Sequence, residues 1–159
     1  MSASKPTAKA AAIRRTTLGV REYLNGYRAL LEDVLRQEGL TLPQLRMLKA
    51  VADQSTEVSS AAIARFCQIT PQTLQTMLER AVREGWVVRG TSERNHRIIT
   101  ASLTPKGEAL RERGLDVAAE LEQMLWKGVS RKAIEGMNDV LDRSLANLHA
   151  EADRRQAKS

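Results

Sequence analysis

The order of short elements between residues 63 and 104 restricts the fold of this chain more than any other feature. A helix is predicted to begin at Thr70-Pro71, because a threonine side chain caps free backbone N–H groups and proline has no N–H to satisfy. Its apolar residues recur with helical period, at Leu74, Met77, Leu78, Ala81 and Val82. A shorter helix precedes it across a turn at 67–69, and a hairpin of two short strands follows it. This order predicts a winged helix-turn-helix.

Amphipathic helices are predicted on both sides of this segment. Apolar residues before it alternate steps of four and three, at Val20, Leu24, Tyr27, Leu31 and Val34. Two further helices follow the hairpin, the first opened by Thr104-Pro105 and the second capped by Ser130. A lone helix cannot bury such a seam, so it packs either onto the centre of its own chain or against a second copy. We expect a symmetric dimer, because symmetric dimers are the commonest oligomers.

The predicted fold class is therefore mainly α with a small β-hairpin wing. One domain is expected over residues 16–150, with the winged helix-turn-helix at 40–104 between dimerisation helices at 16–38 and 105–150. Residues 1–15 are rich in Ala, Ser and Lys and are predicted to form a disordered basic arm, and 151–159 a flexible tail. Such an arm would add non-specific affinity for DNA.

Charge and cysteine content narrow the function classes. The 159 residues carry 25 Lys and Arg against 19 Asp and Glu, a net charge of +6 that suits a phosphate-rich partner but also fits any basic soluble protein. A single cysteine excludes an internal disulfide framework and a cysteine-rich zinc site. No apolar run reaches the roughly 20 residues of a membrane span, so a cytoplasmic protein without a membrane partner is expected. The acid-free first 21 residues also fit an organelle transit peptide.

The segment from Leu40 to Gly107 resembles the MarR family of bacterial transcriptional regulators. The resemblance rests on the motifs Leu40-Thr41-Leu42-Pro43-Gln44, Ile63-Ala64, Thr70-Pro71-Gln72-Thr73, Glu84-Gly85-Trp86-Val87 and Ser102-Leu103-Thr104-Pro105-Lys106-Gly107. It implies a bacterial homodimer whose recognition helix enters the major groove of double-stranded DNA and whose wing residue Arg97 enters the minor groove. Relatives commonly repress nearby genes and release DNA when a small molecule or an oxidant reaches them. The chain departs from the family at Asn95, where Asp is usual, and at Gln68, where Gly is frequent.

Eight residues are predicted to contact DNA. Glutamine pairs bidentately with adenine, a threonine methyl meets the thymine methyl, and arginine suits both phosphates and a narrow minor groove. These side chains occupy the start of the recognition helix and the wing tip: Thr70, Gln72, Thr73, Gln75, Thr76, Arg80, Arg94 and Arg97. The alternative is an ordinary solvated helix face and a polar hairpin. Arg83 and Arg89 are further phosphate candidates, unless Glu79 and Glu84 neutralise the cations on this helix.

Other residues have both a functional and a structural interpretation. Tyr23, Tyr27 and Trp86 either edge a ligand cavity or fill the core. Cys67 is either a redox switch or inert buried packing. The two histidines lack the neighbours of a metal site, so no metal and no cofactor are predicted.

The sequence is therefore interpreted as a dimeric, sequence-specific transcriptional regulator, a repressor that binds a palindromic operator and is released by a small-molecule inducer or an oxidant. An activator or antirepressor of the same fold is one alternative. A winged helix used only for protein contacts is another. No nucleophile–base pair, phosphate-cradling glycine loop or metal cluster points to an enzyme.

Overall fold

The computed structural model describes residues 7–53, 60–91 and 99–157. Its elements are, in chain order, α1 (Ala8–Gln37), α2 (Leu42–Ala52), α3 (Ser60–Cys67), α4 (Pro71–Arg83), β1 (Val87–Thr91), β2 (Ile99–Leu103), α5 (Pro105–Leu125) and α6 (Arg131–Gln156). The two strands pair antiparallel, with Val87 opposite Leu103 at the base of the hairpin. The mainly helical fold with a small hairpin is thus confirmed. None of the described helices is long and apolar enough to cross a bilayer.

Capping residues explain where α2 and α4 begin. Thr41 and Gln44 form a reciprocal capping box, in which the Gln44 amide donates to the Thr41 hydroxyl at 3.4 Å and the Thr41 amide donates to Gln44 Oε1 at 2.8 Å. The Thr70 hydroxyl accepts from the Thr73 amide at 3.1 Å, and Pro71 takes the first helical position. The predicted start of α4 at Thr70-Pro71 is confirmed.

The helices α1 and α4 end in the same kind of turn. Gly39 and Gly85 adopt left-handed φ angles of 73° and 71°, a conformation that glycine enters without steric cost. The next amides, those of Leu40 and Trp86, donate back to carbonyls in the last helical turn at 2.9 and 2.8 Å. The side chains of Leu40 and Trp86 are both buried, so each turn directs the chain into the core.

The core of the first compact unit, which extends to Leu121, includes the junction of α1 with α2 and the packing of α2, α3 and α4. Met47 and Leu74 are fully buried within it. From α1 it takes only Leu31 and Leu35, which are the buried residues of that helix. In the apolar seam predicted on α1, Leu31 is buried, Tyr27 and Val34 are half-buried, and Val20 and Leu24 are exposed.

The second compact unit begins at Glu122 and contains α6, in which no described residue is buried. The boundary falls near the end of α5. The expectation of one domain over 16–150 stays a prediction.

Two predictions about the chain ends were wrong for the residues that the structure describes. The predicted arm at 1–15 is helical from Ala8, because the Thr7 hydroxyl caps the Ala10 amide at 3.2 Å and alanine has the highest helix propensity. The predicted flexible tail at 151–159 is helical as far as Gln156, where Glu151 pairs with cations one turn later. Residues 1–6 and 158–159 lie outside the described parts of the chain.

Candidate nucleic-acid interface

Helix α4 buries one face and exposes the other. Leu74, Leu78 and Ala81 are buried as the apolar period predicted, while Met77 is half-buried and Val82 is 38% exposed at the edge of the stripe. The opposite face consists of exposed polar side chains, which include Gln72, Thr73, Gln75, Thr76, Arg80 and Arg83. An exposed polar helix face on a packed support is the arrangement that a major groove accepts.

The first turn of α4 is held by its own threonines. Besides capping the Thr73 amide, the Thr70 hydroxyl lies 2.8 Å from the Thr73 hydroxyl. This arrangement fixes both side chains at the exposed start of the helix. Thr70, predicted as a DNA contact, therefore has a structural role whether or not it also meets DNA.

The side chains of the two glutamines on this face differ in their hydrogen bonds. The Gln75 side-chain amide donates to Glu79 Oε1 at 2.9 Å, so it is engaged along its own helix. The Thr76 hydroxyl donates to the Gln72 carbonyl at 3.2 Å. The Gln72 side chain makes no hydrogen bond within the described residues, and its amide is available to donate and accept together, as bidentate pairing with adenine requires.

A groove of about 540 Å³ lies between the start of α2 and the exposed face of α4. Five of the predicted DNA-contacting residues line it: Thr70, Gln72, Thr73, Thr76 and Arg80. Thr41 and Pro43, which are not among the predicted DNA-contacting residues, line it from the α2 side. The first turn of α2 therefore borders the same surface, a neighbourhood that spacing along the chain does not reveal.

The arginines around α4 are exposed and have no ion-pair partner among the residues that the structure describes. Arg80, Arg83 and Arg89 are exposed, and none lies within ion-pair distance of a carboxylate in the described part of the chain. Glu79, which was a possible partner, instead accepts from Gln75. The alternative, in which Glu79 and Glu84 pair with these arginines, finds no ion pair among the described residues. Exposed guanidinium groups suit phosphate contacts.

The wing is described only at its base. The strands β1 and β2 confirm the predicted hairpin. Its tip, which holds Arg94, Asn95, His96 and Arg97, lies outside the described residues. The proposed minor-groove role of Arg97 therefore stays a prediction.

The turn between α3 and α4 carries an unusual residue. Gln68 adopts a left-handed φ of 58°, which is uncommon for a residue with a side chain. Its Oε1 accepts from Arg46 Nη1 of α2 at 3.1 Å, and the Ile69 amide donates to the Ala64 carbonyl at 3.0 Å. The turn thus has the geometry that glycine usually provides, and Arg46, which the sequence had not indicated, holds the glutamine that replaces it.

Cys67, the last residue of α3, is 1% exposed. Burial raises the pKa of its thiol, and the nearby Arg46 only partly opposes this. The thiolate is the form that oxidants attack, so both the burial and the raised pKa favour the packing role over the redox role.

The far end of α4 is fastened to the start of α5 by a set of contacts that we call the α4–α5 joint, formed by Gly85, Trp86, Thr104, Lys106 and Gly107. The Thr104 hydroxyl donates to the Gly85 carbonyl at 2.6 Å and accepts from the Gly107 amide at 3.1 Å, so it caps α5 while holding α4. The Lys106 ammonium donates to the carbonyl of Glu84, the C-cap of α4, at 2.8 Å.

Gly107 of the joint has no room for a side chain. A Cβ on it would lie 2.0 Å from the Trp86 carbonyl oxygen and 2.8 Å from its carbon. Trp86 in turn accepts from the Thr104 amide at 3.0 Å. The joint therefore brings α4, both strands of the wing and α5 into close backbone contact.

The three aromatic residues considered for a ligand cavity lie in different surroundings. Trp86 is 8% exposed and belongs to the core at the base of the wing. Tyr23 and Tyr27 stack on α1, with ring centroids 6.2 Å apart and planes 5° from parallel. Tyr23 is 42% exposed. A ligand role for these residues stays a prediction.

Comparison with known proteins identifies this architecture. A family model described as MarR family matches residues 38–98. HTH-type transcriptional repressor Rv2887 of Mycobacterium tuberculosis is 40% identical over 75 residues, which cover 47% of this chain and 53% of that protein. The chain thus spans about half the length of the curated relatives it matches.

Solved structures extend the likeness to most of the fold. M. tuberculosis MarR family protein Rv2887 in complex with p-aminosalicylic acid superposes with a TM-score of 0.63 at 29% identity, over 79% of this chain and 96% of that one. The Staphylococcus aureus MepR–DNA complex gives a TM-score of 0.67 at 22% identity, over 82% and 96%. The MarR family transcription regulator SP03579 gives 0.77 at 22% identity, over 91% and 97%.

Residues 38–98 are therefore similar to the MarR family, and the chain has the fold of solved MarR regulators.

The matched residues 38–98 include α2, α3, α4 and β1. They hold the groove beside α4 and the turn at Gln68, but not Thr104, Lys106 and Gly107 of the joint. In the described ranges, no group of three His, Cys, Asp or Glu residues is placed to hold a metal ion.

Proposed function

We propose that this protein is a regulator of the MarR family that binds DNA at a specific sequence and represses transcription as a homodimer on a palindromic operator. The observation that carries the proposal is the exposed start of α4, where the Gln72 amide, the threonine hydroxyls and Arg80 line one open groove. Such a surface offers donors and acceptors to base edges and positive charge to phosphates. A regulator of this kind acts on the chromosome, in the cytoplasm of a bacterium.

The relatives support the same proposal. The curated relatives that match are named transcriptional repressors. MepR, which has this fold, has been crystallised on DNA. We therefore propose repression rather than activation.

We propose a homodimer because two helices of the chain carry exposed apolar side chains. On α1 these include Leu18, Val20, Leu24 and Leu30, and on α6 they include Met137, Val140, Leu145 and Leu148. Apolar surface of this extent in long helices favours association. Paired copies of α4 would match half-sites about 34 Å, one turn of DNA, apart.

Release by a small molecule completes the proposal. Rv2887 has been crystallised with p-aminosalicylic acid and with salicylic acid, so a small aromatic acid is the first class of inducer to test. Release through oxidation of Cys67 is the weaker proposal, since that thiol is buried.

The decisive experiment captures genomic DNA fragments with the full chain and measures the affinity of the best fragment against salt. We expect an enriched palindromic sequence. We also expect Arg80→Ala to lower the slope of log affinity against log salt by about one unit for each phosphate that the arginine neutralises. Lys127→Ala removes an exposed cation outside α4 and serves as the control, with no change in slope. No enriched sequence at moderate salt would contradict the proposed function.

A further inference from the structure

The end of α3 repeats the hydrogen-bond pattern of the ends of α1 and α4. The Gln68 amide donates to the Arg65 carbonyl and the Ile69 amide donates to the Ala64 carbonyl, each at 3.0 Å. The ends of α1 and α4 have the same pair of backbone bonds around a residue with a left-handed φ. At those two helix ends the left-handed residue is glycine, whereas at the end of α3 it is glutamine.

The left-handed conformation is unfavourable for Gln68, whose φ is 58°. A Cβ atom crowds the backbone in this conformation, and glycine avoids the clash because it has no Cβ. Along the described parts of the chain, no other non-glycine residue has a positive φ. The turn at Gln68 therefore needs a contact that holds it, which the two glycine turns do not need.

Arg46 of α2 supplies such a contact. Its Nη1 atom donates to Gln68 Oε1 at 3.1 Å, across 22 residues of sequence, and the charge of the guanidinium group strengthens this bond. The same charge lies close enough to the neighbouring Cys67 to oppose the rise in the pKa of its thiol. Two independent features therefore place the guanidinium group at this turn.

The arginine end of the contact is anchored in the core. Arg46 lies between Leu45 and Met47 on α2, and both of these neighbours are buried. Arg46 itself is half-buried, whereas Gln68 is exposed. The bond therefore ties an exposed turn to a helix that packing holds in place.

The turn at Gln68 determines where α4 begins. Ile69 and Thr70 follow it directly, and Thr70 is the N-cap of α4. Both residues line the groove whose opposite side is the start of α2. The bond from Arg46 to Gln68 thus joins the two helices that border this groove. A different φ at Gln68 would change the direction of α4 and move its exposed side chains relative to α2.

We propose that Arg46 is a positioning residue for DNA binding, which acts through Gln68 by holding the left-handed turn from which α4 begins. The inference rests on the proposed function and deepens it, because it names a residue that supports operator binding without contacting DNA. It also makes the need for Arg46 conditional on its partner. In Gln68→Gly the turn would keep the same φ without the bond, so Arg46 would no longer be required.

The test compares the unaltered full chain with Arg46→Met, Gln68→Gly and the double variant. Methionine keeps an unbranched stem and a helix propensity close to that of arginine, but it has no donor for Gln68. The matched control is Lys49→Met, which removes another half-buried cation of α2 that has no described bond to the turn. Affinity for the captured operator is measured against salt, and stability is measured by urea denaturation.

We expect Arg46→Met to weaken operator binding about 3- to 10-fold, because part of the population leaves the left-handed turn when the bond is lost. In the Gln68→Gly background the same substitution should change the affinity less than about twofold. The urea midpoint should show the same dependence on background. The salt slope should be equal in all variants, because in this proposal Arg46 neutralises no phosphate. Lys49→Met should match the unaltered chain in operator affinity.

Four results would overturn the inference. The first is an equal loss of affinity after Arg46→Met in both backgrounds, because Arg46 would then act other than through Gln68. The second is no loss in either background, and the third is the same loss in Lys49→Met. The fourth is a salt slope lowered by about 0.9 in Arg46→Met, which would indicate a direct phosphate contact.

Loss of folding and failure of the proposed function give results of their own. If Arg46→Met does not fold, recovery of folding and operator binding in the double variant supports the inference, and no recovery overturns it. If the unaltered chain enriches no DNA sequence, the proposed function fails and the inference fails with it. If an operator is enriched but the effect of Arg46→Met is independent of Gln68, the inference alone is overturned.

Discussion

The two ends of α4 differ in what their polar groups do. At the start, the Gln72 amide makes no hydrogen bond within the described residues. At the far end, the last carbonyls are occupied by donors from Thr104 and Lys106, and Gly107 presses against the Trp86 backbone. The comparison indicates that the start of α4 offers hydrogen-bonding groups to a partner, whereas the far end fixes the direction of the helix. Substitutions at the far end should therefore affect stability, and substitution of Gln72 at the start should affect binding alone.

Gly107→Ala should have the largest effect. Its Cβ would lie 2.0 Å from the Trp86 carbonyl oxygen, so the backbone of the joint has to move. We expect a decrease of about 3 kcal/mol in the free energy of unfolding, which urea denaturation would measure. Gly136→Ala is the control, since a Cβ there meets nothing within 4 Å and should stabilise α6 by about 0.5–1 kcal/mol. A urea midpoint for Gly107→Ala equal to that of the unaltered chain would show that the joint is not rigid.

Thr104→Val should have the next largest effect. It removes the hydroxyl that caps Gly107 and holds the Gly85 carbonyl, and removal of a helix cap typically costs about 1–2 kcal/mol. Operator affinity should fall with it, but the salt slope should not change, because the number of neutralised phosphates stays the same. Thr104→Ser keeps the hydroxyl and should recover most of both properties. If Thr104→Ser lost as much stability and affinity as Thr104→Val, loss of the hydroxyl's hydrogen bonds would not explain the effect.

Gln72→Ala tests the start of α4. We expect a decrease of about 1–3 kcal/mol in affinity for the preferred operator, roughly 5- to 150-fold, if the amide pairs with a base. The urea midpoint should stay the same, since this side chain makes no described hydrogen bond. Gln75→Ala is the matched comparison and should weaken binding less, because Gln75 is engaged by Glu79 at 2.9 Å. Equal effects would remove the distinction between the two glutamines.

The smallest effect is expected at Cys67. Burial raises the pKa of its thiol, so near neutral pH it is protonated and poorly reactive. Operator affinity should therefore be unchanged after exposure to peroxide at pH 7. Because the folded pKa is above that of the unfolded thiol, this group should reduce stability only as the pH rises beyond the ordinary thiol pKa. Release of DNA by peroxide near neutral pH would restore the redox interpretation.

Local signals in the sequence predict most of the elements. The capping threonines, Pro71, Gly39 and Gly85 indicate helix ends that the structure reproduces, because each acts through the backbone of its near neighbours. The start of α1 escapes such a prediction because low hydrophobicity also favours disorder, whereas alanines capped by Thr7 need little burial to be helical.

The contacts that support the candidate site are harder to predict because they join distant parts of the chain. The Thr104 hydroxyl and the Gly85 carbonyl are 19 residues apart, and Arg46 and Gln68 are 22 apart. Neither pair leaves a periodic or spacing signal. The exposed face of α4, in contrast, follows directly from helical period. The candidate DNA-contacting residues can therefore be found from the sequence, whereas the long-range contacts that hold α4 in place cannot.

The burial of the chain's one cysteine has a practical consequence. Cys67 closes α3 immediately before the left-handed turn at Gln68, so a disulfide reagent reaches its sulfur only when this part of the chain opens. The rate of exchange, compared with that of the unfolded chain, would report the free energy of that local opening without any label or added mutation. Repeated with operator present, the same rate would report whether DNA slows the opening of the helix-turn-helix itself.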